Sequence, residues 1–500
     1  MKKNFYITTP IYYVNDNPHI GHAYTTILAD VLARYSLSKG DSTFFLTGLD
    51  EHGQKVQQAA ESRNINPKQH CDEMAPRFLK LWDKLHISYD DFIRTTEKRH
   101  TDIVKYFLQK VYDKGDIYED SYEGLYSVSE ERFITEKEAE SGDFRDIKEL
   151  KEKNYFFKMS KYQNKLIKHI EENPSFIQPK FRRNEVLGFL RSPLEDLCIS
   201  RPKSRLSWGI EMPFDSNYVT YVWFDALINY VSAIGLNSDE KKYKAFWPVN
   251  YHLIGKDILT THSVYWPTML MSAGIKLPKS IFAHGWWLSD QSKMSKSLGN
   301  VIDPLKLIET YGVDPVRFYL MKEMVLGQDS NFSLDSFVKC YNSDLANDFG
   351  NLLSRVTNLI NKFYDRKIPN GEDNSQAGKA VKKSAKETVA CVLNLIDEMK
   401  INDAINHTFK FIREVNKYLE ITAPWKLLKK DIDSAGKILY TAAESLRITA
   451  LILSPIMPNR AQTIFDIFHI DSNEIEWGGL IAGTKIEVHK PLFPRIETNS

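Results

Sequence analysis

The sequence predicts an α/β fold: a doubly wound parallel sheet of Rossmann-like type, carrying an inserted domain and followed by an all-α helical bundle. Three observations predict it. Short apolar strands alternate with a helix-period segment over residues 1–115, the alternation breaks between about Asp116 and Asn217 and then resumes, and amphipathic helical periodicity takes over from Ser343.

The elements follow in order. Phe5-Tyr6-Ile7-Thr8 reads as a short apolar strand and Pro10 to Pro18 as a loop. From His19, apolar residues recur at Ile20, Ala23, Ile27, Val31 and Tyr35, close to the helical period, and Gly40 stops that helix. Thr43-Phe44-Phe45-Leu46 is a second buried strand, running into Thr47-Gly48-Leu49-Asp50-Glu51-His52-Gly53. This is the βαβ rhythm of a parallel sheet. The stretch 116–217 holds the aromatic-rich Tyr118–Tyr126, the charged Glu130–Lys153 and then Tyr155-Phe156-Phe157-Lys158-Met159, and reads as an insertion. The strand pattern returns at Val219–Trp223, Tyr251–Ile254 and Ile281–Ala283. Further on, Leu345, Phe349, Leu352, Val356, Leu359 and Phe363 form one helical stripe and Ile405, Phe409, Ile412, Val415 and Leu419 another, separated by the polar link 369–378. The expected division is a split sheet domain (1–115 and 218–288), an inserted domain (116–217), a region with the lysine-rich loop (289–342) and a helical bundle (343–500).

Bulk composition narrows the function. A chain of 500 residues suggests roughly three domains at ~150 residues each. Net charge is +1, so no global field draws nucleic acid, and any RNA partner must be met by local patches. The longest apolar run, Ile448 to Met457, is interrupted by Thr449, Ser454 and Pro455 and falls short of the ~20 residues of a membrane span. Met-Lys-Lys leads straight into a core strand, so no signal or transit peptide is expected. Cys71, Cys198, Cys340 and Cys391 are too scattered for a disulfide framework, and a reducing cytoplasm is expected.

Two motifs carry chemistry. Lys293-Met294-Ser295-Lys296-Ser297 is a compact cationic loop suited to a polyphosphate whose charge moves during reaction. On its own such a run reads as a solvated turn. Pro18-His19-Ile20-Gly21-His22 falls at the first turn of a helix that follows strand one. Free N–H groups and the dipole of a helix N-terminus favour anions, and two imidazoles three positions apart share a face. Together the motifs point to activation by a nucleoside triphosphate. Asp50 ends strand two, at the edge where open α/β sheets bind ligands, and suits an ammonium group; the plainer reading is a turn aspartate capping the next helix. Gly255-Lys256-Asp257 lies at the same edge.

The pair His-Ile-Gly-His and Lys-Met-Ser-Lys-Ser resembles the signature of the class I aminoacyl-tRNA synthetases. The text around it is similar to the methionyl-tRNA synthetase family: residues 9–15, 45–53, Tyr221-Val222-Trp223-Phe224-Asp225-Ala226, Gly255-Lys256-Asp257-Ile258 and His284-Gly285-Trp286 stand in the family's order, from residue 5 to about 430. The resemblance implies ATP-dependent attachment of L-methionine to tRNA(Met) through an adenylate, with Mg2+ accompanying ATP. It implies that His19, His22, Lys293 and Lys296 bind ATP and its transition state, with Gly21, Ser295, Gly285 and Val301 along the nucleotide. Ile11, Tyr13, Trp223, Ala226, Leu227, Tyr230, Ile258 and His262 would line the methionine pocket, with Asp50 on the amino group. Aromatic and branched walls suit a soft thioether, although read alone such a cluster is plain core. In the bundle, Asn351, Arg355 and Trp425 would meet the anticodon; read alone, Trp425 is core and Arg355 a surface charge.

The chain also departs from the family. Many members carry Cys-x-x-Cys zinc knuckles in the insert, whereas here no cysteine lies between Cys71 and Cys198, and Ser127 and Ser129 stand where family text often has cysteine. A closed zinc site needs four ligands, so none is expected. Thr261 replaces a common Phe beside His262, and the chain ends at Ser500 without a further oligonucleotide-binding domain, so a monomer is expected. Three rivals remain. Synthetases for valine, isoleucine or leucine carry far larger inserts. A nucleotidylyltransferase with a His-x-Gly-His would lack the helical domain and the lysine loop. A non-catalytic descendant would have lost motif residues that are present here.

Overall fold

The computed structural model describes residues 2–15, 17–127, 132–134, 139–140, 146–289, 292–293, 302–472 and 474–497. They form two compact units, one of Met1–Pro18, Lys39–Asp83 and Ile87–His284, the other of His19–Ser38, Lys84–His86 and Gly285–Ser500.

Among the described residues of the first unit, six parallel strands make one sheet, in the order Asp91–Arg94, Ser42–Asp50, Asn4–Tyr13, Tyr251–Gly255, Ile281–His284 and Ile177–Gln178. The first three in chain order are β1 (Asn4–Tyr13), β2 (Ser42–Asp50) and β3 (Asp91–Arg94). β1 does not end at Thr8, with a loop from Pro10, as the sequence suggested; it runs on through Ile11, Tyr12 and Tyr13. Proline lacks an N–H, and the pairing with β2 shifts register between Thr8 and Ile11, which passes Pro10 without breaking the ladder. Gly48 is required where β2 meets β3, because a Cβ there would stand 2.0 Å from the Ile93 carbonyl oxygen.

Two expectations are corrected in the middle of the chain. Val219–Trp223 is not a strand of the parallel sheet: Asp215–Thr220 belongs to a small antiparallel sheet with Ser200–Pro202 and Glu211–Met212, and Val222–Ala226 is a helical turn. β-branched and aromatic residues gave that segment strand character, but the burial of Phe224 and Asp225 in the core decides its shape. Nor does the segment 116–217 stand wholly apart from the parallel sheet. It contributes the antiparallel strands Ile117–Ser127, Arg132–Ile134, Ile147–Phe157 and Leu197–Cys198, yet its Ile177–Gln178 pairs with Ile281 and Phe282 at the edge of the parallel sheet.

In the second unit, helix α1 (Ile20–Ser38) is buried on nearly every face from Ala23 to Ser36. Its Asp30 accepts from the Arg317 guanidinium at 2.6 Å, and the same guanidinium donates to the backbone oxygens of Leu85, Pro455 and Ile456 at 2.8–3.0 Å. Both side chains are fully buried, and these bonds satisfy the charge. The helices Gln376–Asp397, Ile401–Thr422 and Ile432–Leu453 form the bundle, with Ile405, Phe409, Ile412, Val415 and Leu419 all buried as their spacing predicts. The preceding stripe drifts. Leu345, Phe349, Leu352 and Val356 are buried, but Leu359 and Phe363 are only partly so, and Leu353 and Ile360 take the core face. A π-helical stretch over Tyr341–Gly350, leading into the α-helix Asn351–Phe363, rotates the buried face in a way no constant period anticipates.

Candidate active site

In the second unit, the helix start fixes the histidine pair. The His19 and His22 rings stack with centroids 3.9 Å apart. The backbone N–H of His19 donates to His22 Nδ1 at 3.2 Å, and that of Gly21 donates to His19 Nδ1 at 3.1 Å. A backbone N–H can only donate, so each Nδ1 is an acceptor and each neutral ring carries its proton on Nε2. Burial, and then the neighbouring His19, push the His22 imidazole well below its ordinary range. At neutral pH His22 is therefore an uncharged N–H donor. Gly21 makes room for its neighbour: a Cβ there would come within 2.9 Å of the His19 ring.

The same unit holds Lys293. Trp287–Ser289 pairs antiparallel with Ser292–Lys293, setting Lys293 opposite Leu288, and pairs parallel with Ser330–Phe332. Ser295, Lys296 and Val301 lie outside the described residues, and of Lys293 only the backbone is described. Trp287 is buried against Tyr24, Tyr319 and Phe332, with ring centroids 6.0–6.2 Å away. Tyr24 lies on α1, so the helix that begins at the histidine pair packs on the strand Trp287–Ser289, which pairs with Ser292–Lys293. At Gly285 a Cβ would stand 2.0 Å from the Gln328 carbonyl oxygen, and the neighbouring Trp286 N–H donates to Asp329 at 2.8 Å.

In the first unit, the candidate methionine residues Ile11, Tyr13 and Asp50 lie in the C-terminal parts of β1 and β2. Ile11 lies opposite Gly48 and Tyr13 opposite Asp50, and Asp50, the last residue of β2, is buried. Trp223 is partly exposed on the turn Val222–Ala226, while Ala226, Leu227 and Tyr230 just after it are buried. Tyr230 Oη stands 2.7 Å from His262 Nε2, and His262 Nδ1 stands 3.0 Å from the Ile258 carbonyl oxygen. The carbonyl accepts only, so Nδ1 bears the proton and Nε2 accepts from the Tyr230 hydroxyl. Burial pushes His262 down to about 4, so it is neutral at physiological pH. Gly255 admits the Asp257 carboxylate, whose Oδ1 would lie 2.5 Å from a Cβ at that glycine.

Sequence reading missed the layer behind these residues. His252 sits between Thr8 Oγ1, at 2.8 Å from its Nδ1, and the Trp266 indole, which donates to its Nε2 at 3.3 Å. Asp225 joins His52 and His100 at 2.7 Å each. Glu51, fully buried, accepts from Arg94 at 2.5 Å and from Thr96. The signal was a run of polar residues, Asp50-Glu51-His52, at a strand end, but their partners are 43–173 positions away.

In the bundle, the Arg355 guanidinium lies 5.3 Å from the centre of the Trp425 ring. Trp425 is 41% exposed, which removes the bundle-core reading. Asn351, one turn before Arg355, is exposed. In the segment 116–217, Ser127 is buried and Ser129 lies outside the described residues. Cys198 Sγ is 3.3 Å from the Arg201 guanidinium, and among the described residues no three His, Cys, Asp or Glu converge as for a metal ion.

The parallel sheet, the histidine pair at a helix start and the helical bundle together define a class I aminoacyl-tRNA synthetase. A family model described as "tRNA synthetases class I (M)" matches residues 5–143 and 141–357, and one described as the anticodon binding domain of methionyl tRNA ligase matches residues 368–500. The methionine–tRNA ligase of Clostridium tetani is 44% identical over 100% of this chain and 79% of its own length, and that of Rickettsia conorii is 44% identical over 99% and 100%. The solved structure of Mycobacterium tuberculosis methionyl-tRNA synthetase in complex with methionyl-adenylate superposes with a TM-score of 0.95 at 38% identity, covering 99% of this chain and 100% of that one. The chain belongs to the methionyl-tRNA synthetase family.

Proposed function

We propose that the chain activates L-methionine with ATP and transfers it to tRNA(Met). In the first step a methionine carboxylate oxygen attacks the α-phosphorus, the bond to the β-phosphate bridge breaks, and diphosphate leaves. In the second, a ribose hydroxyl at the tRNA terminus attacks the carbonyl of the adenylate and AMP leaves. The protein supplies alignment and charge stabilisation rather than a covalent nucleophile. His19, His22, Lys293 and Lys296 bind the phosphates, with Gly21, Gly285, Ser295 and Val301 along the nucleotide and Mg2+ accompanying ATP. Ile11, Tyr13, Trp223, Ala226, Leu227, Tyr230, Ile258 and His262 take the methionine side chain, and Asp50 takes its ammonium group. Asn351, Arg355 and Trp425 meet the anticodon of the tRNA. The residues divide by task as 1–115 with 218–288, 116–217, 289–342 and 343–500, in a cytoplasmic monomer that uses no structural zinc.

The observation that carries this reading is the stacked histidine pair at the start of α1, each neutral ring bearing its proton on Nε2, in a chain of this family. Neutral N–H donors at a helix N-terminus suit an oxyanion. ATP–pyrophosphate exchange with a panel of amino acids tests it. Exchange with methionine alone is the expected result; exchange driven by a different amino acid, or none at all, overturns it.

A further inference from the structure

The buried cluster around Asp225 takes no part in the roles assigned so far, yet its members lie in the two segments that carry Asp50 and Trp223 to Tyr230. Asp225 is fully buried, and its two oxygens are shared between two histidines: Oδ2 lies 2.7 Å from His52 Nδ1 and Oδ1 lies 2.7 Å from His100 Nε2. A carboxylate only accepts, so both rings donate to it. Burial alone pushes the Asp225 carboxyl up, but the two imidazoles outweigh it and hold the group below the usual carboxylate range. His100 Nδ1 then lies 2.9 Å from Ser232 Oγ.

The positions of these residues in the chain make the cluster informative. His52 is two residues past Asp50, at the end of β2. Asp225 stands between Trp223 and Ala226, in the turn Val222–Ala226. Ser232 is two residues past Tyr230. His100 lies near the start of the helix Lys98–Asp113, whose Ile103, Val104, Phe107, Leu108 and Val111 are all buried, so it is the fixed member. The other side of His52 is covered by the Trp208 ring, 5.4 Å away, and the Trp208 indole donates to the Glu51 carbonyl at 2.6 Å. One carboxylate thus ties the strand end that carries Asp50 to the turn that carries Trp223 and Ala226, and a rigid helix backs both.

We propose that Asp225 is a positioning residue for methionine: through His52 and His100 it fixes the spacing between the Asp50 strand end and the Trp223–Tyr230 segment, and so sets affinity for the amino acid without touching it. The inference rests on the assignment of Asp50 and Trp223 to methionine. A residue that orients groups which themselves contact a ligand is worth a measurable share of binding when its geometry is lost.

The test is ATP–pyrophosphate exchange by the full chain, with KM measured separately for methionine and for ATP. Asp225→Asn keeps the shape but offers one ring an amide N–H in place of an acceptor. The expected result is a KM for methionine raised ~10–100-fold with KM for ATP within about twofold and the melting temperature little changed. A folded Asp225→Asn protein with an unaltered methionine KM overturns the proposal, as does a parallel rise in both KM values, which marks general loosening. His52→Gln carries the same test should Asp225→Asn fail to fold. Asp50→Asn separates the two levels. If it leaves the methionine KM unchanged, the assignment of the methionine site falls; if it raises that KM while Asp225→Asn does not, only the positioning role falls.

Discussion

At the residue scale, the protonation state of His262 sets a pH dependence of stability. His262 is held down to about 4 by burial, while an unfolded histidine titrates near ~6.5. A folded pKa below the unfolded one gives stability that is complete above about pH 6.5 and lost as pH falls toward about 4. At ~1.4 kcal/mol per unit, this group makes acidification cost roughly 3 kcal/mol. The His262→Gln variant removes that contribution and should lose less stability than the parent protein between about pH 7 and pH 5 in thermal melts; equal losses in the two proteins would contradict the burial of a neutral His262. Lys296 is assigned to the charge that develops on the phosphates. Lys296→Ala is expected to slow pyrophosphate exchange roughly 100–1000-fold, in line with loss of one transition-state donor, while equilibrium binding of methionine stays near the parent value. Undiminished exchange in that variant removes Lys296 from the role.

At the element scale, close approach of strands and turns is set by glycine and by register. The 2.0 Å gap between a Cβ at position 48 and the Ile93 oxygen leaves no room for alanine unless β2 and β3 part. Gly48→Ala should cost about 1–3 kcal/mol or more in urea unfolding, and because Ile11 lies opposite Gly48 and Tyr13 opposite Asp50, methionine affinity should fall with it. Full stability in that variant would refute the close approach. Residues 5–8, 43–46, 251–254 and 281–283 were legible as strands because buried parallel strands are short continuous apolar runs. Residues 219–223 misled because β propensity reports a half-buried surface rather than a backbone preference. The stripe from Leu345 drifted because a π-helical stretch changes the period partway along.

At the scale of the whole molecule, adenylate formation and RNA recognition are assigned to different parts of the chain. Trp425 is exposed beneath the Arg355 guanidinium, an arrangement that offers a flat face to an unstacked base. Trp425→Ala should weaken tRNA charging by about 1–3 kcal/mol, the worth of one stacked base, and leave pyrophosphate exchange intact. Normal charging by that variant, measured at limiting tRNA, would end the anticodon assignment.

The class of fold, the histidine and lysine motifs assigned to ATP, and the Asp50 strand end were legible without the structure, because each is written in local spacing: an apolar period, a glycine between histidines, an aspartate closing a strand. Tertiary structure alone decided what stands behind them. Asp30 and Arg317 are 287 positions apart, His52 and Asp225 are 173, and Tyr230 and His262 are 32. A buried charge or imidazole must find its partner wherever the fold brings one, and nothing in local composition names that partner. Only the folded chain shows that Trp287, on the strand that pairs with Ser292–Lys293, packs on the helix that begins at the histidine pair.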